Sequence, residues 1–336
     1  MPDRQSCMVI AEAGVNHNGR LDIALKLCDA AKKMGADVIK FQTWKTERLI
    51  TRGVAQAGYQ VENTGVEESQ FDMLKRLELP YDSFRAIKKY CDTIGLQFAS
   101  TADEEESLDF LVSLGVPFIK VGSGDIGNIS FLRHIGSKGL PVILSTGMST
   151  MEDIDISVHA LREGGASDIT LLHCTTSYPC AYEDVNLKAM ASLRETFHLP
   201  VGYSDHTMGQ EVSIAAAALG AAVIEKHFTL DRRMDGPDHV ASIEPDEFAE
   251  LVKAVRRVET CLGTGIKEPT AVEKLIAPAV TKRIVARRQI SKGEVFTEEN
   301  ICVKRSDSGA AARHWDKVIG ERAGRRYDVD EGILHL

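Results

Sequence analysis

At 336 residues the chain is too long for one small domain and suits one large domain plus a minor one. Its 43% apolar and 26% charged content is ordinary for a globular protein and argues against disorder, while a net charge of −9 argues against a general nucleic-acid binder. That charge leaves room for a phosphate ligand, which needs a few local lysines and backbone N–H groups. Seven scattered cysteines without a C-x-x-C pair read as reduced, mostly structural thiols of a cytoplasmic protein. The first residues carry no basic region followed by a long apolar run, so no secretory signal is expected, and no stretch approaches the length of a membrane span.

One unit recurs along the chain: a β-branched, apolar run ending in polar or small residues, then an amphipathic helical pattern. Strands are predicted at Met8–Ala13, Val38–Gln42, Gln97–Ser100, Phe118–Val121, Val142–Ser145, Ile169–His173, Val201–Tyr203 and Val223–Lys226. Helices are predicted at Leu21–Met34, Tyr81–Ile94, Glu104–Leu114, Phe131–Lys138, Met151–Glu163, Leu187–Phe197, Gln210–Leu219 and Pro245–Cys261. Gly35, Gly95, Gly115, Gly139, Gly164 and Gly220 stand where left-handed helix caps are wanted. Eight alternating units predict an α/β fold whose parallel sheet closes as a (β/α)8 TIM barrel. The doubly wound alternative lacks a G-x-G-x-x-G after the first strand. The segment from about Thr43 to Pro80 is long for a loop and reads as a lid or binding loop. The barrel is expected over residues 1–267, a linker over 268–282, and a small β-rich module over 283–336, with strand-like Ile284–Ala286 and Ile301–Val303 around a Lys292-Gly-Glu turn.

Chemistry in such a barrel sits at the C-terminal ends of the strands. Those ends carry Glu12, Lys40, Gln42, Ser100, Thr101, Lys120, Ser123, Asp125, Ser145, Thr146, Thr175, Tyr178, Ser204, Asp205, His206 and His227. A core would want apolar residues there. Lys40 and Lys120, with Ser123, Ser145 and Ser204, suit a phosphate, a carboxylate, or a compact molecule carrying both. His206 and His227 follow neighbouring strands separated by one helix, so their imidazoles can share a divalent metal, which Glu12 would join directly or through water. Such a metal would polarise a carbonyl oxygen. Asp125 and Asp238 are candidate acid–base or hydroxyl-binding carboxylates, although Asp238 lies in a Gly-Pro turn where capping is the simpler role. His17 reads as part of a polar turn entering a helix and His173 as a buried strand residue; His239 is left undecided.

Longer motifs carry more. They include Ala11-Glu-Ala-Gly-Val-Asn-His-Asn-Gly19, Val38-Ile-Lys-Phe-Gln-Thr43, Tyr59-Gln-x-x-Asn-Thr-Gly65, Lys120-Val-Gly-Ser-Gly-Asp125, Leu144-Ser-Thr-Gly-Met148, Ser204-Asp-His-Thr207, Glu225-Lys-His-Phe-Thr229 and Gly236-Pro-Asp238. With these the chain resembles the bacterial sialic acid synthase family over essentially its whole length. The tail around Lys292-Gly-Glu, Val303-Lys-Arg305 and Ile319-Gly320 is similar to that family's antifreeze-like (SAF) domain.

The resemblance implies an N-acetylneuraminate synthase, condensing phosphoenolpyruvate with open-chain N-acetylmannosamine and releasing phosphate. It implies a divalent ion, manganese first and magnesium or cobalt as alternatives, on His206 and His227. It assigns phosphoenolpyruvate to Lys40, Thr101, Lys120, Ser123, Ser145 and Ser204, and the sugar to Glu12, Gln42, Asn63, Asp125, Tyr178 and Asp238. Lys120, Glu12 and Asp125 are its catalytic candidates, with Asp125 or Glu12 assisting the attack of water. It further implies a homodimer with exchanged antifreeze-like domains, in which Arg305 reaches the partner's site. Three positions depart from the family pattern: Asp125 where many members have glutamate, Thr176 where some have asparagine, and Ser306-Asp-Ser308 after Val-Lys-Arg where Pro-Gly-Asn is usual. The same chemistry on a 2,4-diacetamido-2,4,6-trideoxymannose, as in legionaminic acid synthesis, is the nearest alternative. A metal-dependent aldolase and a non-enzymatic carbohydrate-binding protein are more distant ones.

Overall fold

Short β-branched runs that are apolar on both faces need cover on both sides, and a closed barrel with helices outside supplies it. A computed structural model, which describes residues 6–334, has this architecture. Its strands are β1 (Met8–Gly14), β2 (Val38–Thr43), β3 (Gln97–Ala102), β4 (Ile119–Val121), β5 (Val142–Ser145), β6 (Ile169–His173), β7 (Val201–Asp205) and β8 (Val223–His227), parallel and closed in sequence order. β1 pairs with both β2 and β8, setting Glu12 opposite Lys40 on one side and His227 on the other.

The helices are α1 (Leu21–Met34), α2 (Thr46–Leu49), α3 (Gly58–Thr64), α4 (Gln70–Leu77), α5 (Tyr81–Ile94), α6 (Glu105–Leu114), α7 (Ile129–Gly136), α8 (Met151–Gly164), α9 (Ala189–Phe197), α10 (Glu211–Ala218) and α11 (Pro245–Cys261). Three of them, α2 to α4, occupy the segment expected to be one long loop. The helix expected at Phe131–Lys138 lies two residues earlier. Gly139 therefore falls past its end, where Ser137 is the cap. Gly164 lies inside α8, and the left-handed cap is Gly165 at φ 112°. Gly164 has a packing role instead. A Cβ there would come 2.3 Å from the Arg133 carbonyl oxygen, and one at Gly136 would come 2.3 Å from that of Leu161, so this glycine pair lets α7 and α8 touch backbone to backbone.

The barrel interior follows the period of two along each strand. Ile10, Val38, Ala99, Phe118, Ile143, Leu172 and Val223 pack together inside it. On β7 the corresponding position is Gly202, where a Cβ would meet the Val223 carbonyl oxygen at 2.4 Å. Two residues further along each strand stand Glu12, Lys40, Thr101, Lys120, Ser145, Cys174, Ser204 and Glu225. An apolar plug thus becomes a polar floor within one pleat. Outward-facing residues such as Val9, Ile39, Phe98, Leu144, Leu171, Tyr203 and Ile224 pack with the helices.

The chain divides into two compact units, Met1–Gly263 and Thr264–Leu336. The second begins with α12 (Ala271–Val280), where a linker was expected. Thr270 caps it, accepting from the Glu273 N–H while Glu273 accepts from the Thr270 N–H. Beyond it, β9 (Lys282–Ala286) and β10 (Ile301–Arg305) pair antiparallel, followed by the short α13 (Trp315–Val318). Ile284, Ile290, Phe296, Ile301, Val318, Tyr327 and Ile333 form this unit's core. Among the described residues, no helix is long and apolar enough to cross a membrane.

Candidate active site

A cavity of about 180 Å³ opens at the C-terminal ends of the strands. Glu12, Lys40, Gln42, Thr101, Lys120, Ser123, Ser145, Tyr178, Ser204, His206 and His227 all line it. A larger cavity of about 810 Å³ lies at the opposite end, walled by strand starts such as Met8, Gln97, Val142 and Val223. The smaller one is the candidate site, because the charged side chains converge there, at the end where barrels of this kind carry chemistry.

Two lysines and two glutamates form its floor, all buried. Lys40 Nζ is 2.8 Å from Glu12 Oε2 and donates to Thr101 Oγ1 at 2.9 Å. Lys120 Nζ donates to Ser145 Oγ at 2.7 Å and to the Val121 carbonyl at 3.1 Å. Glu225 Oε1 lies 3.9 Å from Lys40 Nζ and 3.8 Å from Lys120 Nζ, and accepts from Ser204 Oγ at 3.3 Å. Glu225 Oε2 is buried without a hydrogen-bond partner. Burial lowers the Lys120 pKa, only partly offset by Glu225. Burial pulls Lys40 the same way, but Glu12 and Glu225 outweigh it and raise that pKa. Burial raises the Glu12 carboxyl pKa against the pull of Lys40.

His206 Nδ1 is 2.7 Å from the Thr175 carbonyl oxygen. A carbonyl can only accept, so Nδ1 carries the proton and Nε2 keeps its lone pair. The His227 ring centroid is 5.6 Å from that of His206, and His227 Nδ1 is buried without a hydrogen-bond partner. Tyr178 packs its ring 4.2 Å from His206 and 5.6 Å from His227. Burial lowers both histidine pKa values, keeping the imidazoles neutral with lone pairs available. This donor chemistry suits a divalent ion. No group of three or more His, Cys, Asp or Glu positioned to hold one occurs among the described residues, so water or substrate oxygens would complete its shell.

Gly14 lies where Glu12, Gln42 and Asp238 come together. It follows a register shift in β1 and sits at φ 49°. A Cβ there would lie 3.4 Å from Glu12 Oε1, 3.5 Å from Asp238 Oδ2 and 3.5 Å from Gln42 Nε2. Gln42 Nε2 donates to Glu12 Oε1 at 3.0 Å. Asp238, for which turn capping was the simpler expectation, instead brings Oδ2 to 3.8 Å from His227 Nδ1, and burial raises its carboxyl pKa to about 6. Asn63 is not on the cavity wall; its Nδ2 donates to the Pro237 carbonyl at 2.7 Å, tying α3 to the turn that carries Asp238.

Asp125 is not on the wall either, although Ser123 and Gly124 are. Its Oδ1 accepts from Asn128 Nδ2 at 3.0 Å. Arg305 closes β10 in the second unit, opposite Lys282. The three other histidines considered above act locally. His17 is buried, accepting the Gly19 N–H at 3.0 Å; His173 bonds the Val185 carbonyl at 2.8 Å; and His239 Nδ1 is 2.6 Å from Thr229 Oγ1. Glu225 and Asp103 line the cavity and were not singled out from the sequence. Both carry a signal: Glu225 is two residues before His227, and Asp103 two beyond Thr101, each on the inward phase. Burial, reinforced by Asp125, raises the Asp103 carboxyl pKa to about 8.

The NeuB family profile matches residues 27–267. The chain belongs to the NeuB family. A SAF domain profile matches residues 282–326. An N,N'-diacetyllegionaminic acid synthase of Legionella pneumophila is 44% identical over 98% of this chain and 94% of its own length. The human N-acetylneuraminate-9-phosphate synthase is 37% identical over 98% of this chain and 91% of its own. The crystal structure of a sialic acid synthetase from Leptospira borgpetersenii serovar Hardjo-bovis superposes with a TM-score of 0.71 at 35% identity, covering 80% of this chain and 90% of that one. The chain is thus an enzyme of the NeuB synthase family, the nonulosonate synthases, built as a TIM barrel followed by an SAF domain.

Proposed function

We propose that this NeuB enzyme joins phosphoenolpyruvate to the open-chain aldehyde of an N-acylated mannosamine-type sugar, releasing phosphate and forming a nine-carbon keto acid. One observation carries the proposal: Lys40 and Lys120, with their hydroxyl partners, share a single small cavity with two neutral imidazoles. The lysines would bind the phosphate and carboxylate. His206 and His227 would hold a divalent ion, manganese in the first instance, which supplies Lewis acidity toward the aldehyde oxygen. Carbon three of phosphoenolpyruvate attacks the aldehyde carbon, and water adds at carbon two. Glu12, on the cavity wall and turned toward Gln42 and Lys40, takes the proton of that water. Phosphate leaves by carbon–oxygen cleavage while Lys40 and Lys120 balance its charge.

The similarity to the Legionella enzyme favours a 2,4-diacetamido-2,4,6-trideoxymannose as the sugar. The similarity to the Leptospira enzyme supports a second reading, N-acetylmannosamine giving N-acetylneuraminate. A homodimer in which the partner subunit supplies Arg305 belongs to the same proposal. The test is incubation of the protein with phosphoenolpyruvate, manganese and each sugar in turn, measuring product mass and released phosphate. One phosphate per nine-carbon product is expected, with the higher kcat/KM for the diacetamido sugar. Condensation without phosphate release, or no product with any sugar of the panel, would overturn the proposal.

A further inference from the structure

The outward face of the barrel is apolar along the strand bodies and turns polar at several strand ends, where Thr43 bonds Ser100 and His173 bonds the Val185 carbonyl; beside the two histidines it carries a charged pair. On β7, Tyr203 packs outward and Asp205 follows two residues later; on β8, Ile224 packs outward and Lys226 follows. Asp205 and Lys226 are register partners, and their side chains are 0% and 2% exposed. Lys226 Nζ is 2.9 Å from Asp205 Oδ2 and donates to the Thr207 carbonyl at 2.7 Å. Asp205 Oδ1 accepts from the Thr207 N–H at 2.9 Å and from its hydroxyl at 2.7 Å; Oδ2 accepts from Ser213 Oγ of α10 at 2.5 Å. Neither residue lines the cavity.

The pair encloses His206 on both sides along the chain, through Asp205 before it and Thr207 after it. Lys226 directly precedes His227. Both charges are thus bonded to the backbone of Thr207, the residue that follows His206. Stability alone does not account for such a pair: desolvating two charges costs about what their attraction returns, and apolar residues of similar volume do as well or better. A fully bonded pair in a low-dielectric setting does fix positions.

We propose that Asp205 and Lys226 are a positioning pair that sets the separation and orientation of the His206 and His227 imidazoles. The role in metal binding rests on the function proposed above; the role in holding the rings does not. The test compares wild type, the apolar double variant Asp205→Leu/Lys226→Met, and His206→Ala. Mn²⁺ affinity is read by calorimetry, kcat and the phosphoenolpyruvate KM by kinetics, and the His206 Nδ1 proton by NMR of the metal-free protein. The double variant should keep its phosphoenolpyruvate KM while losing about 10- to 100-fold in Mn²⁺ affinity, with kcat falling in step and the melting temperature lowered by the Thr207 and Ser213 donors left unpaired. The slowly exchanging Nδ1 proton that bonds the Thr175 carbonyl should be lost or shifted. Wild-type Mn²⁺ affinity and kcat in the double variant, with an unmoved Nδ1 proton, would reduce the pair to a structural element. If wild type itself binds no Mn²⁺, the metal reading fails and the Nδ1 proton decides: loss in the double variant supports positioning, persistence overturns it. If the double variant does not fold, the decision passes to Asp205→Asn, with Asp205→Glu as its rescue and the same readings.

Discussion

Removing the positive charge of Lys120 while keeping its length, by Lys120→Met, isolates one half of the anion site. Lys120 is 3% exposed, and its Nζ already spends two donors on Ser145 and the Val121 carbonyl, leaving one for a ligand. Loss of a charge-assisted hydrogen bond to a bound anion costs about 2–3 kcal/mol. At about 1.4 kcal/mol per decade, the KM for phosphoenolpyruvate should rise roughly 30- to 150-fold. The sugar KM should change less than about threefold, since Gln42 and Asp238, gathered beside Gly14, make no contact with Lys120. The variant also leaves Glu225 with Lys40 as its nearby cation, so Lys120→Met/Glu225→Gln should recover part of the lost stability without recovering phosphoenolpyruvate binding. A pH arm adds a second check. Burial lowers the Lys120 pKa, so its charge is lost on the alkaline side before that of an ordinary lysine. The wild-type phosphoenolpyruvate KM should therefore climb with pH, and the variant's should not. Initial rates of phosphate release, with each substrate varied at saturation of the other, measure all of this. An equal rise in both KM values, or the same alkaline climb in the variant, would refute the assignment of Lys120 to phosphoenolpyruvate.

Gly14→Ala should lower stability by about 1–2 kcal/mol from left-handed strain, with little change in kcat, since its Cβ would meet Glu12, Gln42 and Asp238 at ordinary van der Waals contact; chemical denaturation and kinetics check the two parts. Asp103 holds its proton up to about pH 8 in the fold, whereas an unfolded chain releases it near 4, so the fold binds an extra proton between those limits and stability falls as pH rises through them. Asp103→Asn removes that fall: its stability should exceed wild type at pH 8 by on the order of 1–2 kcal/mol, discounted for the half-open setting, and match wild type below pH 4 in denaturation series. Mixing inactive Arg305→Ala and His206→Ala subunits under exchange conditions should restore activity if the partner subunit supplies Arg305; no recovery with exchange confirmed means that Arg305 acts within its own chain or not at all.

The strand–helix alternation was legible because each strand is short, β-branched and closed by turn residues, and the long helices because their apolar stripe survives to the cap. What escaped depended on contacts between distant segments. Gly164 looked like a cap because it ends an amphipathic run, but its position answers to Arg133 on the preceding helix. Helix α12 was passed over because it follows a Gly-rich break, although Thr270 and Glu273 spell a capping box. The site was legible through the inward phase of the strand ends, which carries Lys40, Lys120, Ser145 and Ser204. Applied strictly, that phase also names Glu225 and Asp103. It cannot name Asp238, whose approach to His227 comes from a turn held by Asn63 and Ser242 rather than from a strand.

Barrel closure has a consequence for how activity arises during synthesis. Glu12 lies on the first strand and His227 on the last, and Asn16 hydrogen-bonds the carbonyl of Phe228 across 212 positions of sequence. A nascent chain that has left the ribosome through β7 has both lysines and His206, but an open barrel with an unpaired edge. Neither the His206–His227 pair nor a closed polar floor exists until the eighth strand docks against the first. The barrel part of the site is therefore assembled only in the last step of closure, and a chain truncated before residue 223 would expose the edges of β1 and β7 to one another's copies, favouring aggregation.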